Sequence, residues 1–219
     1  MDLLPTVTVE PDAPHVASVI WLHGLGADGH DFEPVVPHLG PLPGVRFVFP
    51  HAPSLPVTVN GGYVMPAWYD ILEMDIGRKV DEEGVRTSAR RVADLVASER
   101  ERGLPSERIV LAGFSQGGAV ALHQGVRHPE RLAGLLALST YLPVDVREEE
   151  RAPANLEVPI FQGHGTHDPM VLPELGEAAR DRLTALGYRP EWRTYPMQHE
   201  VCLPELEDVG AWLRGVLGL

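Results

Sequence analysis

The 219-residue sequence predicts an α/β fold, a mostly parallel central sheet with helices on both faces. Three observations lead there. Short β-branched runs bounded by Gly or Pro alternate with longer helical patterns. Two of these runs feed directly into glycine-rich turns, at 23–29 and 113–118. No internal repeat or shift in composition divides the chain, which reads as one domain over 1–219. Hydrophobic residues make up 44% of the sequence and charged residues 22%. That is enough apolar material for a core that buries roughly 70% of the unfolded surface. The 22 glycines and 21 prolines stay below the ~25–30% share of low-complexity chains.

Taken in order, Ser18-Val19-Ile20-Trp21-Leu22 reads as a buried strand that runs into the glycine loop from His23 to Gly29. Residues 45–49 form a second strand, stopped by Pro50. Residues 51–70, rich in Pro, Gly and aromatics, read as a long loop, and such a loop inside a compact domain is usually functional. Over 85–102 the apolar positions Val92, Leu95 and Val96 follow helical spacing, with Arg86 to Arg91 on a solvated face. Residues 108–112 are a strand, 116–127 a helix, and 132–138 and 158–162 further strands. The charged stretch 145–157 reads as an exposed loop. A helix over 174–186, a strand over 191–195 and an amphipathic helix over 204–217 complete the chain.

The formal net charge is −13, and Lys79 is the only lysine. A field of that sign repels nucleic-acid phosphates and anionic lipid surfaces, so neither a nucleic-acid partner nor stable membrane insertion is expected. The two long uncharged stretches, 51–69 and 109–126, are broken by Pro or Gly and do not read as spanning helices of ~20 residues. Met1-Asp2-Leu3-Leu4-Pro5 lacks the basic and apolar regions of a signal peptide. The single cysteine, Cys202, permits no intramolecular disulfide and no thiolate metal cluster. A reducing cytoplasm is the expected compartment.

Two glycine motifs compete for the chemistry. Gly24-Leu25-Gly26-Ala27-Asp28-Gly29 fits G-x-G-x-x-G after a strand. A dinucleotide site would also need a helix at the third glycine and an acid ending the next strand. Here Gly29 precedes His30-Asp31-Phe32-Glu33-Pro34, and the next strand ends Phe49-Pro50-His51. A plain tight turn is the other reading. Gly113-Phe114-Ser115-Gln116-Gly117 is a G-x-S-x-G between a strand and a helix, the setting that projects a serine oxygen out of a sheet.

A serine nucleophile needs an imidazole base and an orienting acid, which follow this turn in the order serine, acid, histidine. His123 and His128 lie on or just past the elbow helix and point away from the serine. An acid within His164-Gly165-Thr166-His167-Asp168-Pro169 leaves His199 as the only downstream histidine. Asp168 is the natural acid, with Glu174 and Glu177 as rivals on the next helix. A metal held by His164, His167 and Asp168 is a further reading, but three residues of one short loop need another ligand to wrap an ion.

These motifs resemble the phospholipase/carboxylesterase family of α/β-hydrolases, which includes small bacterial carboxylesterases and acyl-protein thioesterases. The resemblance rests on His23 to Gly29, Gly113 to Gly118, His164 to Asp168 and His199-Glu200, and covers the chain from about residue 16 onward. Asn60-Gly61-Gly62-Tyr63 and Ala67-Trp68-Tyr69-Asp70-Ile71 look like its bacterial carboxylesterase branch. The resemblance implies the α/β-hydrolase fold, with Ser115 as nucleophile, His199 as general base and acid, and Asp168 as its partner. It also implies an oxyanion hole from the backbone N–H groups of Leu25 and Gln116, no cofactor, no metal, and a homodimer as a frequent state.

The 18 residues of 140–157 are too few for a separate lid domain. An open groove is expected, walled by Met65, Trp68, Tyr141, Leu142, Met170 and Val171, each of which has core packing as its rival role. Trp68, a large aromatic in an uncharged loop, is the strongest candidate. The leading expectation is a carboxylesterase for short- to medium-chain esters, a small-molecule substrate. The alternatives are an acyl-protein thioesterase or lysophospholipase with the same triad, and a catalytically silent ligand-binding module.

Overall fold

The computed structural model describes residues 3–73 and 80–219. Met1 and Asp2, part of the leader reading, and Lys79 lie outside the described residues. Among the described residues, nine strands are present: β1 (Thr6–Val9), β2 (Ala17–Leu22), β3 (Val45–Pro50), β4 (Ser54–Val57), β5 (Tyr63–Pro66), β6 (Ile109–Phe114), β7 (Gly134–Leu138), β8 (Ile160–Gly165) and β9 (Pro190–Tyr195). Among the described residues four α-helices accompany them: α1 (Glu82–Glu101), α2 (Gln116–Gly125), α3 (Pro173–Ala185) and α4 (Leu203–Leu217).

Seven strands form one sheet in the order β1-β3-β2-β6-β7-β8-β9. β1 runs antiparallel to β3, and the other neighbours are parallel. The chain moves outward from β2 to β3 and then returns to the other side of β2 to lay down β6. The strand order therefore reverses between β2 and β6, and the loops leaving their carboxyl ends diverge around a crevice. Val19 pairs with Phe47 on one side and Val110 on the other, so β2 is central and fully buried.

Alternation along the strands assigns the two faces. Ile20, Leu22, Ile109, Leu111, Leu135 and Ile160 pack with Val92 of α1, the apolar side of α2 and Leu183 of α3. Val19, Trp21, Val110, Leu136, Leu138 and Phe161 face Leu39 and the Leu206, Val209 and Leu213 stripe of α4. Strands covered on both faces are the condition under which parallel sheets occur. Among the described residues, no helix is long and apolar enough to cross a membrane.

The structure departs from the sequence reading in four places. β1 is a four-residue edge strand, and the stretch read as a bare loop over 51–70 contains the antiparallel hairpin β4–β5. Its turn uses Gly61 and Gly62 at φ 66° and 78°, values that glycine adopts without strain. β8 begins after Pro159 and extends to Gly165, carrying His164 within the sheet. The stretch read as exposed over 145–157 is strapped down: Asn155 donates to the carbonyls of His128 and Glu130 and accepts from the Leu132 N–H. Glu150 pairs with Arg127 at 2.8 Å, and Val146 is fully buried. Between β7 and β8 the described chain holds two short 3-10 turns, Glu148–Glu150 and Pro153–Asn155, in place of a lid.

Glu205 on α4 is wholly buried beside Gly163, and among the described residues neither carboxyl oxygen has a hydrogen-bond partner. Burial first, and the Asp208 charge second, push this carboxyl up to about 8 from an ordinary 4.5. Below pH 4.5 the folded and unfolded chains both hold the proton. Between 4.5 and about 8 only the folded chain does, so stability declines across that window, by at most about 1.4 kcal/mol per pH unit. In a pH series of thermal melts, the melting temperature of Glu205→Gln relative to the native chain should rise through this window and then level. A difference that stays constant with pH would mean that Glu205 is ionised in the folded protein.

Candidate active site

The centre of the crevice is the turn from β6 into α2. Ser115 has φ 53° and ψ −121°, a region that costs a non-glycine residue about 1–3 kcal/mol. Its neighbours hold it there. The Ser115 N–H donates to the Leu138 carbonyl at 2.9 Å. Its own carbonyl accepts from the Ala119 N–H at 3.1 Å and from Thr140 Oγ1 at 2.6 Å. A Cβ on Gly113 would strike the backbone of Gly117, and one on Gly117 would strike the carbonyls of Leu22 and His23. Both flanking glycines are required by close backbone approach.

His199 lies in the loop between β9 and α4. Its Nδ1 is 2.7 Å from Asp168 Oδ2, and its Nε2 is 2.9 Å from Ser115 Oγ. A carboxylate only accepts, so the imidazole proton sits on Nδ1 and Nε2 accepts from the serine hydroxyl. The Phe114 ring packs on the imidazole with centroids 4.7 Å apart, and Phe32 backs Phe114 at 5.5 Å.

Asp168 is 2% exposed and takes the N–H groups of Met170 and Val171 on Oδ1, at 2.8 and 2.9 Å. Burial works against its charge, but the hydrogen bonds from His199, Val171 and Met170 outweigh it and hold the carboxyl below the usual range. Thr166 N–H to Tyr195 and His167 N–H to Met197 tie the acid loop to the histidine loop.

The rival residues do not converge on Ser115. Glu174 and Glu177 are exposed on α3. His164 Nε2 donates to the Val171 carbonyl at 2.9 Å, and burial keeps its ring neutral beneath Asp168. His167 is exposed, 3.0 Å from Thr166 Oγ1. His123 contacts Arg127 and His128 contacts Gln124, and burial, followed by the Arg127 charge, lowers His123 to about 3.

The first glycine loop lies against this turn, so close that a Cβ on Gly24 would sit 3.6 Å from Ser115 Cβ. His23 braces it: Nδ1 donates to the Gly24 carbonyl, and Nε2 accepts from the Ala52 N–H. Turns, and no α-helix, follow Gly29. Gln116 opens α2, so its N–H has no carbonyl one turn back. Among the described residues, the Leu25 N–H likewise donates to no carbonyl.

Of the expected groove walls, Trp68 is corrected. It is 1% exposed, and its indole N–H is satisfied by the His23 carbonyl at 2.9 Å, so it packs behind the loop. Val171 is also buried, with its backbone engaged by Asp168 and His164. Met65 and Leu142 are half-buried, and Met170 is 55% exposed. Tyr141 and Leu142, with Val80, Leu175 and Arg182, line a cavity of about 280 Å³. Tyr141 is buried and shares a 2.7 Å hydrogen bond with Tyr69.

Sequence reasoning missed Phe114, Thr140, His164 and the Gln116 side chain as parts of the framework. Phe114 and Gln116, at the two variable positions of the G-x-S-x-G, and His164, at the head of the acid loop, lay within signals, whereas Thr140 did not.

Residues 5–217 match the Phospholipase/Carboxylesterase family. Acyl-protein thioesterase 1 of Neurospora crassa is 42% identical, over 95% of this chain and 90% of its own length. The Schizosaccharomyces pombe protein of the same name is 39% identical over 80% and 79%. Arabidopsis thaliana SOBER1 superposes with a TM-score of 0.88 at 33% identity, covering 92% of this chain and 99% of its own. Zea mays acyl-protein thioesterase 2 gives 0.87 at 29% identity, over 98% and 99%. With a match across nearly its whole length, on this sheet and this strand-to-helix turn, the chain belongs to the phospholipase/carboxylesterase family, serine hydrolases of the α/β-hydrolase fold.

Proposed function

We propose that the chain hydrolyses fatty acyl thioesters, and short- to medium-chain carboxylic esters less selectively, through an acyl-enzyme on Ser115. The continuous array Asp168–His199–Ser115, with Nε2 2.9 Å from Oγ, carries the reading. Full-length relatives named acyl-protein thioesterase move the emphasis from oxoesters, the first expectation, to thioesters.

In the first half-reaction Ser115 Oγ attacks the acyl carbon while its proton passes to His199 Nε2. Asp168 stabilises the resulting imidazolium. The carbonyl electrons move onto oxygen, between the N–H groups of Leu25 and Gln116, where each such donor contributes about 100–1,000-fold in turnover. Collapse of the adduct expels the thiolate or alkoxide, which takes the proton from Nε2. Water then repeats the sequence, releasing the acid and restoring the serine. We assign the acyl chain to the cavity that Tyr141, Leu142 and Leu175 line.

Ser115→Ala should abolish labelling by a fluorophosphonate and lower turnover by several orders of magnitude, with an unchanged melting temperature. Asp168→Asn should be about as severe, roughly 10⁴-fold, because an amide favours the wrong imidazole tautomer. Folded native protein that resists the probe would identify a binding module instead. Near-native activity in Asp168→Asn would remove Asp168 from the mechanism.

Matched thioester and p-nitrophenyl ester series from C2 to C16 test the substrate class. Each buried methylene should raise kcat/KM by up to about fourfold, the equivalent of ~0.8 kcal/mol, until the cavity is filled, and longer chains should then plateau. Higher kcat/KM on thioesters of equal length supports the proposal. Oxoester activity without thioester activity restores the carboxylesterase reading, and a jump above the critical micelle concentration points to lipid aggregates as substrate.

A further inference from the structure

We infer that the side chains of Gln116 and Trp68 are positioning residues that fix the two oxyanion donors relative to each other, a reading that rests on Ser115 as the nucleophile. The Gln116 side chain is buried at the start of α2, where its amide must find its partners within the protein. Both ends of the amide are matched. Oε1 accepts the Trp68 N–H at 2.8 Å, and Nε2 donates to the Tyr69 carbonyl at 2.7 Å. The residue whose backbone N–H faces the oxyanion is thus fastened, through its own side chain, to the segment just beyond β5.

That segment also grips the other donor. The Pro66 carbonyl accepts the Gly26 N–H at 2.8 Å, and Trp68 Nε1 donates to the His23 carbonyl at 2.9 Å. Residues 66–69 therefore bond to the chain on both sides of Leu25 and to Gln116. Ser88 of α1 donates to the Trp68 carbonyl and anchors the segment to the core. One strap sets the positions of both N–H groups, one in the first glycine loop and one at the start of α2, which among the described residues share no direct hydrogen bond. Donors placed before the charge develops are what make an oxyanion hole effective. Loosening the strap should therefore be felt in the transition state and hardly at all in substrate binding.

The variants are Gln116→Met, which keeps the length and removes both amide bonds, and Trp68→Phe, which keeps a ring and removes the indole N–H. Expected in each is a fall in kcat of about 10–100-fold, below the loss of a whole donor, with KM within about threefold of native. Affinity for a trifluoromethyl ketone, which forms a tetrahedral adduct on the serine, should fall by the same factor as kcat/KM. A purely structural role would lower the melting temperature without that parallel fall. If Gln116→Met does not fold, Trp68→Phe decides. Native kcat and native ketone affinity in the folded variants would overturn the inference, even where a melting temperature has dropped. Turnover surviving in Ser115→Ala would overturn the reading beneath it as well. An inactive Ser115→Ala beside native strap variants would remove the strap alone.

Discussion

The contact on which the molecule depends is backbone against backbone, where the first turn of α2 meets the carboxyl end of β2. Gly117 lies so close to the Leu22 and His23 carbonyls that no side chain fits between them. That approach forces the turn at Ser115 to be tight, and the tight turn puts a serine at φ 53°. The strain is carried by the sheet. The Ser115 N–H is held by Leu138 of β7 and its carbonyl by Thr140, so neighbouring strand ends oppose relaxation. A hydroxyl projecting from the crevice between β2 and β6 is a consequence of the strand order.

The central fold was legible because its signals were local. The parallel strands β2, β3, β6, β7 and β8 are short runs buried almost throughout, and burial on both faces makes their apolar stretches continuous, whereas the edge strand β9 is largely polar and half-exposed. The hydrogen-bonded array of Ser115, His199 and Asp168 was legible for a related reason. Ser115 sits in a glycine frame, and the order serine, acid, histidine left His199 as the only partner once Asp168 was chosen. What sequence could not supply was the pairing of weak elements. Thr6-Val7-Thr8-Val9 carries little apolar signal as an edge strand. The hairpin β4–β5 includes Pro56, which reads as a strand breaker yet is accommodated in a two-stranded ribbon.

Trp68 shows the limit of inference from residue type. A large aromatic in an uncharged loop suggested an accessible wall, but an indole can also be buried wherever its N–H finds a partner, and the His23 carbonyl provides one. The loop meets the turn at Ser115 and the first glycine loop through backbone groups and one buried ring. Likewise the charged stretch 145–157 looked solvated by composition. Its placement is set by Asn155 and by the Glu150–Arg127 pair, residues whose partners lie on distant segments.

Burial alone does not distinguish a reactive carboxyl from an inert one, and two acids on this chain make the difference plain. Asp168 and Glu205 are both almost wholly buried. Asp168 stays ionised because it lies past the end of β8, where the sheet ladder has stopped and the N–H groups of Met170 and Val171 are available to it. Glu205 lies on the flank of α4 against the interior of the same strand, where the ladder to β7 and β9 already employs the backbone. With no donor within reach, it keeps its proton. The same rule places the proposed oxyanion donors, since Leu25 follows the end of β2 and Gln116 the end of β6. In a parallel sheet the unspent N–H groups gather where strands end and helices begin. The proposed anionic chemistry therefore falls at the carboxyl ends of the strands, where the hydrogen-bond accounting of the backbone leaves donors free.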